Sequence, residues 1–429
     1  MNLDPYRNET PPRREILDSG AVLLTQPMAN AHSVALGFWL RSGTQDEPSH
    51  LGGISHFLEH IVFKGSETHS AFELARTFDS LGVALDAFTT KEHVAFTVKV
   101  LPEYLEPALA ALADMLLRPA LDDELITLEQ DVVCEEIQEA RDTPEDHLHD
   151  AFAARIYGAH PRGRPILGSQ DSVHGFDAEI LRREHRRFFV GPNVVIGLAG
   201  HVTSATRDIV LRHFDLPGAP DSPTDAAVVT DTPTAATGVE AAAETETSSR
   251  LELPGAIVQS YFEMGNLAVS YRHPDRIPLY ILSNLLGGGM SSRIFQAVRE
   301  REGLAYTIYT YNDMGRDIGL VSCAGSCSPA KTARLEQVVL AEYERVTRDG
   351  VSSEELANNC AQIKSQLIFS LEGVTNQMFR VAKNELYFGR FIPVAELVDE
   401  IDAVDQNDIV RCAREYYVPE QVFVAIHGP

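Results

Sequence analysis

The chain has 429 residues, 44% of them hydrophobic and 23% charged, and a formal net charge of −26. That composition is globular, and the length exceeds the roughly 250–300 residues at which a single core stops growing, so two domains are expected. The acidic balance excludes nucleic-acid binding through a basic surface, and no apolar run reaches the roughly 20 residues needed to cross a membrane.

The opening stretch, MNLDPYRNETPPRRE, has no apolar segment after a basic start, so no signal peptide is expected. The first informative element is GGISHFLEHIVFKGS, residues 52–66. Paired glycines before it and Gly65 after it bracket a short helix. Ile54, Phe57, Leu58 and Ile61 form one apolar stripe, and His56, Glu59, His60 and Phe63 form the next. Two imidazoles four residues apart on one helix face suit a zinc ion, and a carboxylate between them in angle can act as a base on a zinc-bound water. H-x-x-E-H is the inverse of H-E-x-x-H and is a zinc-peptidase signature. The same spacing also suits surface or hydrogen-bonded core histidines, and a zinc site needs a third protein ligand.

A second helix is predicted over residues 70–81, then alternating strands in LGVALDAFTTKEHVAFTVKV and a long helix near 102–117. Residues 122–141, DDELITLEQDVVCEEIQEAR, read as an amphipathic helix opened by acidic residues. Glu129, Val132, Val133 and Glu136 share its inner face, whereas Glu135 falls on the solvated side with Asp131, Gln138 and Glu139. Glu136 is therefore the better third ligand and Glu129 a hydrogen-bond acceptor for a ligand histidine, although such a run also reads as an ordinary acidic helix surface.

These segments resemble the pitrilysin-type zinc metallopeptidases (inverzincins), close to the beta subunit of mitochondrial processing peptidase and its short bacterial relatives. The resemblance runs from about Arg14 to the C-terminus and includes RDTPED and RGRPILGS. It implies one Zn2+ per chain held by His56, His60 and Glu136, Glu59 as catalytic base, and Glu129 behind the ligands. Leu85-Asp86-Ala87-Phe88-Thr89-Thr90 resembles the family's edge strand, against which an extended substrate adds as a further strand, so Asp86, Ala87, Phe88 and Thr89 are implied to bind substrate. The family carries asparagine where this chain has Asp86, and an ionised aspartate cannot donate to a substrate carbonyl.

Residues 216–249 contain no lysine, arginine or aromatic residue until Arg250 and are rich in Ala, Thr, Pro and acids. They read as a flexible linker between domains at 1–215 and 250–429. In the second domain a helix near 278–287 precedes SSRIFQAVREREGLAYTIYTY, residues 291–311. Arg299 is read as ending a helix, Gly303 as turning the chain and Tyr306 as starting an alternating strand. The resemblance implies that Arg299 and Tyr306 face a developing oxyanion and the substrate backbone; without it they read as a helix-end arginine and a core tyrosine. Long helices follow near 329–348 and 353–371.

Both halves place period-two strands between long helices, which predicts an α+β class of two similar domains, each a mainly antiparallel sheet with helices on one face. The five cysteines are odd in number and scattered, so they are expected as buried free thiols in a reducing cytoplasm. The expected function is a zinc-dependent endopeptidase acting on oligopeptides or unfolded segments, with a non-catalytic processing-peptidase-like partner subunit as the alternative. A homodimer with shared active sites is expected, since a two-domain chain reproduces the clamshell of the family's longer members only by pairing. No nucleic-acid or membrane partner is expected.

Overall fold

The computed structural model describes residues 9–218 and 249–429. The linker expectation therefore falls largely on 219–248, outside the described residues.

The first half runs β1 (Arg13–Ile16), β2 (Val22–Pro27), β3 (Val34–Leu40), α1 (Ile54–Ile61), α2 (Ala71–Ser80), β4 (Ala84–Thr89), β5 (Val94–Val100), α3 (Leu105–Leu117), α4 (Asp123–Asp142), α5 (Pro144–Tyr157), α6 (Gln170–His174), α7 (Ala178–Phe188), β6 (Val194–Gly200) and α8 (Ser204–His213). The second runs β7 (Arg250–Pro254), β8 (Ser260–Ala268), α9 (Arg276–Gly287), α10 (Arg293–Phe295), β9 (Ala305–Met314), β10 (Gly319–Cys327), α11 (Thr332–Asp349), α12 (Ser353–Ser370), α13 (Val374–Phe388), α14 (Val394–Ala403), α15 (Gln406–Tyr416) and β11 (Phe423–Gly428).

The two sheets share one topology. The first has the order β1-β2-β6-β3-β5-β4 and the second β7-β11-β8-β10-β9. Setting aside β1, each places its opening strand parallel to its closing strand, and every other neighbour is antiparallel. The third strand of each half, β4 or β9, forms the free edge. The helix carrying the histidines, α1, thus occupies in the first half the place that α9 occupies in the second.

One face of each sheet meets its own helices. Leu36, Phe38, Phe96 and Val98 join α1 and α3 in the first core, while Met264, Val321 and Cys323 join α9 and α11 in the second. The expectation of helices on one face only is corrected here: the opposite faces are covered as well, each by a helix from the other half. Trp39, Val22 and Val195 pack beneath Met378, Val381 and Ala382 of α13, and Leu320, Phe423 and Ala425 pack beneath Leu148 and Phe152 of α5. Periodicity reads β3 and β6 poorly because both are buried along their whole length. Gly37 makes room for this packing: a Cβ there would meet the Trp39 ring at 2.0 Å and Met378 Sδ at 2.7 Å. Arg14 and Arg41 of the first half close on Glu385 of α13 at 2.8–3.0 Å.

All five cysteines are free, four buried and Cys134 half-buried. Among the described residues no helix is long and apolar enough to cross a membrane.

Candidate metal centre

Helix α1 is short and almost wholly buried on the side of Ile54, Phe57, Leu58 and Ile61. Its start requires glycine: Gly53 has φ +90°, and a Cβ on it would meet Leu167 O at 2.5 Å. The RGRPILGS segment therefore lies backbone to backbone against the helix entrance. The packing leaves His56 only 6% exposed, while His60 and Glu59 line a partly open cleft.

Helix α4 crosses this cleft and delivers Glu136. His56 Nε2 and His60 Nε2 each stand 3.6 Å from Glu136 Oε2, and the ligand atoms of the three residues lie within 4.8 Å of one another. Those separations are too long for hydrogen bonds. In a tetrahedral zinc site with bonds of about 2.1 Å, ligand atoms stand about 3.4 Å apart, so the spacing suits a shared cation.

The protonation state of His56 agrees with that fit. Burial, with a smaller push from His60, holds the His56 imidazole down to about 3, leaving it neutral and able to ligate. Burial also works against charge on His60, but Glu129, Glu136 and Glu59 outweigh it and move its pKa up. Glu129 is 2% exposed; it accepts from His60 Nδ1 at 2.8 Å and pairs with Lys64 Nζ at 2.5 Å. That contact leaves the lone pair of His60 on Nε2, the atom that faces Glu136. Burial raises the Glu129 carboxyl, but His60 and Lys64 win and it falls below its usual range. Among the described residues, His56 has no such partner on Nδ1.

Glu59 points beside the cluster. Burial is the main cause of its raised pKa, and a hydrogen bond from Thr89 Oγ1 at 2.6 Å partly offsets it. Thr89 ends β4, so the free edge strand and the carboxylate are joined at one atom pair. Asp86 is exposed on that strand, its Oδ1 accepting from Ala87 N at 3.0 Å. Phe88 turns away and stacks on Phe379 of α13.

Arg299 and Tyr306 meet each other rather than the cluster. Arg299 Nη1 donates to Tyr306 O at 3.0 Å, and its guanidinium lies 4.5 Å from the Tyr306 ring centroid. Tyr306 is 79% exposed, not a core tyrosine. Among the described residues, no hydrogen bond or ion pair joins either residue to His56, Glu59, His60 or Glu136. Arg299 lies in the last turn of its helix, as read, and that turn is π-helical, Gln296–Arg301. One reading of the sequence needs correction: Val132, assigned to the inner face with Glu129, Val133 and Glu136, is 48% exposed, whereas Val133 is fully buried. Thr89 is read from the sequence as an edge-strand residue implied to bind substrate, and its bond to Glu59 has no signal in sequence spacing.

Residues 22–170 match the family described as Insulinase (Peptidase family M16), and residues 175–363 match the Peptidase M16 inactive domain. The Bacillus subtilis protein named uncharacterized zinc protease YmxG is 33% identical over 96% of this chain and 98% of its own. The chain belongs to peptidase family M16. The Mycobacterium tuberculosis relative named uncharacterized zinc protease Rv2782c is also 33% identical, over 97% of this chain and 93% of its own. Two solved structures share the M16 fold at low identity. A protease from Helicobacter pylori superposes with a TM-score of 0.87 at 19% identity, covering 97% of this chain and 99% of that one. A Pseudomonas fluorescens structure described as a peptidase M16 inactive domain gives 0.84 at 16%, covering 98% of each. The M16 zinc-protease relatives support a protease role.

Proposed function

We propose that this chain is a zinc-dependent endopeptidase in which His56, His60 and Glu136 hold one Zn2+ and Glu59 is the general base. The observation that carries the reading is the pair of imidazole Nε2 atoms, each 3.6 Å from one oxygen of Glu136. Zinc bound there would acidify a water and polarise a scissile carbonyl. Glu59 takes the proton of the attacking water and returns one to the leaving amine. Thr89 fixes which Glu59 oxygen is free, and Glu129 fixes the His60 ring. An extended peptide adds to the free edge of β4 along Asp86, Ala87, Phe88 and Thr89, which limits substrates to oligopeptides and unfolded segments. Arg299 and Tyr306, which share no hydrogen bond or ion pair with the cluster among the described residues, are supplied by a second copy and steady the oxyanion and the substrate backbone. The division at 1–215, 216–249 and 250–429, and a cytoplasmic location, belong to the same proposal.

A partner subunit without turnover would have no need of an intact ligand set beside a carboxylate poised like Glu59. The test joins metal analysis to cleavage of a quenched peptide library, with and without a chelator. One zinc per chain and chelator-sensitive cleavage are expected, with Glu59→Gln keeping the metal and losing cleavage by about 100-fold or more. Zinc-independent cleavage, or full turnover by Glu59→Gln, would refute the mechanism.

A further inference from the structure

Helix α1 begins without a capping side chain, because its N-cap residue is Gly53. Its first N–H groups still need acceptors. They find them in a residue outside the helix. Glu47 Oε2 accepts from Gly53 N at 2.8 Å, and Glu47 Oε1 accepts from Ser55 N at 2.7 Å. The carboxylate is 5% exposed. Both oxygens are spent on the turn that presents His56.

The stretch that ends in Glu47 is itself held from three sides. Thr44 N donates to Thr90 O at 3.2 Å and Gln45 N to Lys91 O at 2.9 Å, so the segment is tied to the turn after Thr89. Arg164 Nη1 donates to Glu47 O at 2.8 Å. Asp46 is paired with Arg316 of the second half, and its carbonyl accepts from Arg187 Nη2 at 3.1 Å. One short segment thus joins the entrance of α1, the strand end that holds Glu59, and the second half of the chain.

We propose that Glu47 is a positioning residue: its carboxylate fixes the first turn of α1 and thereby the place of His56 relative to Glu59 and Glu136. The proposal rests on the zinc reading above. Two converging N–H donors are met in full by the two charged acceptor oxygens of the ionised carboxylate; a neutral carboxyl offers weaker acceptors, and an amide puts its NH2 against one of the donors. Burial pushes the Glu47 carboxyl up to about 7, against the pull of the Ser55 and Gly53 N–H groups and of Arg164. The charged groups around it are Arg164 and Lys91, together with Asp46 held between Arg316 and Arg187. Because the folded pKa is raised, the two-acceptor form develops as pH rises through about 7 and is lost below it.

The experiment measures zinc affinity by chelator competition on the full chain, for wild type, Glu47→Gln and Glu47→Asp, at about pH 6 and about pH 8, with melting curves alongside. At the higher pH Glu47→Gln should bind zinc about 10-fold more weakly than wild type. At the lower pH the ratio should fall toward one, because wild type then carries a neutral group of the same shape. Taking a ratio cancels the titration of the ligands themselves. Glu47→Asp, which keeps the charge but is one methylene shorter, should recover part of the loss at the higher pH and also stands in if the amide variant does not fold. Equal affinities of wild type and Glu47→Gln at the higher pH would overturn the proposal while leaving the zinc site intact. A wild type that binds no zinc would overturn both.

Discussion

Replacing Glu129 with glutamine separates a residue that orients a ligand from one that merely fills space. Glutamine keeps the volume and one acceptor oxygen. If that oxygen takes the His60 Nδ1 hydrogen, the amide NH2 is left facing Lys64, which now pairs with Glu129 at 2.5 Å. Turning the amide over gives its oxygen to Lys64 but sets the NH2 against His60 Nδ1–H. A hydrogen bond to a charged acceptor is worth about 1.5–3 kcal/mol. Loss of an orienting partner behind a metal ligand costs about 10–100-fold in affinity, or about 1.4–2.8 kcal/mol, so the two routes agree on roughly 2 kcal/mol. Lys64 can swing out, since it is about a third exposed, so the effect on the metal-free protein should be smaller, about 0–1 kcal/mol. Chelator competition reads the affinity. Thermal melts with and without zinc give a second reading, because the zinc-dependent stabilisation shrinks by the same free energy. A variant with zinc affinity within about twofold of wild type but a lower melting temperature would refute the reasoning and leave Glu129 as a buried partner for Lys64 alone.

Glu136→Gln should weaken zinc binding strongly, whereas Glu135→Gln, on the exposed side of α4, should leave it unchanged; the reverse pattern in metal analysis would exchange the two assignments. Mixing Glu59→Gln with Tyr306→Phe under conditions of subunit exchange should restore cleavage, because one site of each mixed dimer carries neither lesion. No recovery despite exchange shown by mass would place both groups in one subunit. Asp114, 4% exposed, is raised by burial but brought down to about 2 by Ser66, Thr68, His69 and Arg118. Its folded pKa lies below the unfolded value, so its contribution of about 2 kcal/mol is present above about pH 4 and lost as pH falls toward 2. Urea midpoints of wild type and Asp114→Asn should therefore differ near neutral pH and converge in acid; a constant gap would refute this.

The ligand set was legible because it is local: a 3.6-residue period places His56 beside His60, and the same period within α4 separates Glu136 from Glu135. Contacts that depend on how distant segments dock left no such trace. Thr89 meets Glu59 only after β4 pairs with β5, and Glu47 reaches Gly53 and Ser55 across a loop whose path no periodicity encodes. Val132 misled because periodicity reports which residues share a face, not where the covered part of that face ends. Arg299 carries no mark of a π-helical turn in its neighbours. The stripe of Met378, Val381, Ala382 and Glu385 on α13 identifies an amphipathic helix but not which sheet it covers.

The exchange of α5 and α13 has a thermodynamic consequence. Each half lends a helix to the back of the other's sheet, so neither can open alone without stripping Trp39 or Phe423 of its cover. Denaturant should therefore resolve one cooperative transition rather than two, despite the repeated topology. The shared back layers also mean that a substitution at Trp39 or Phe423 should lower the stability of both halves together.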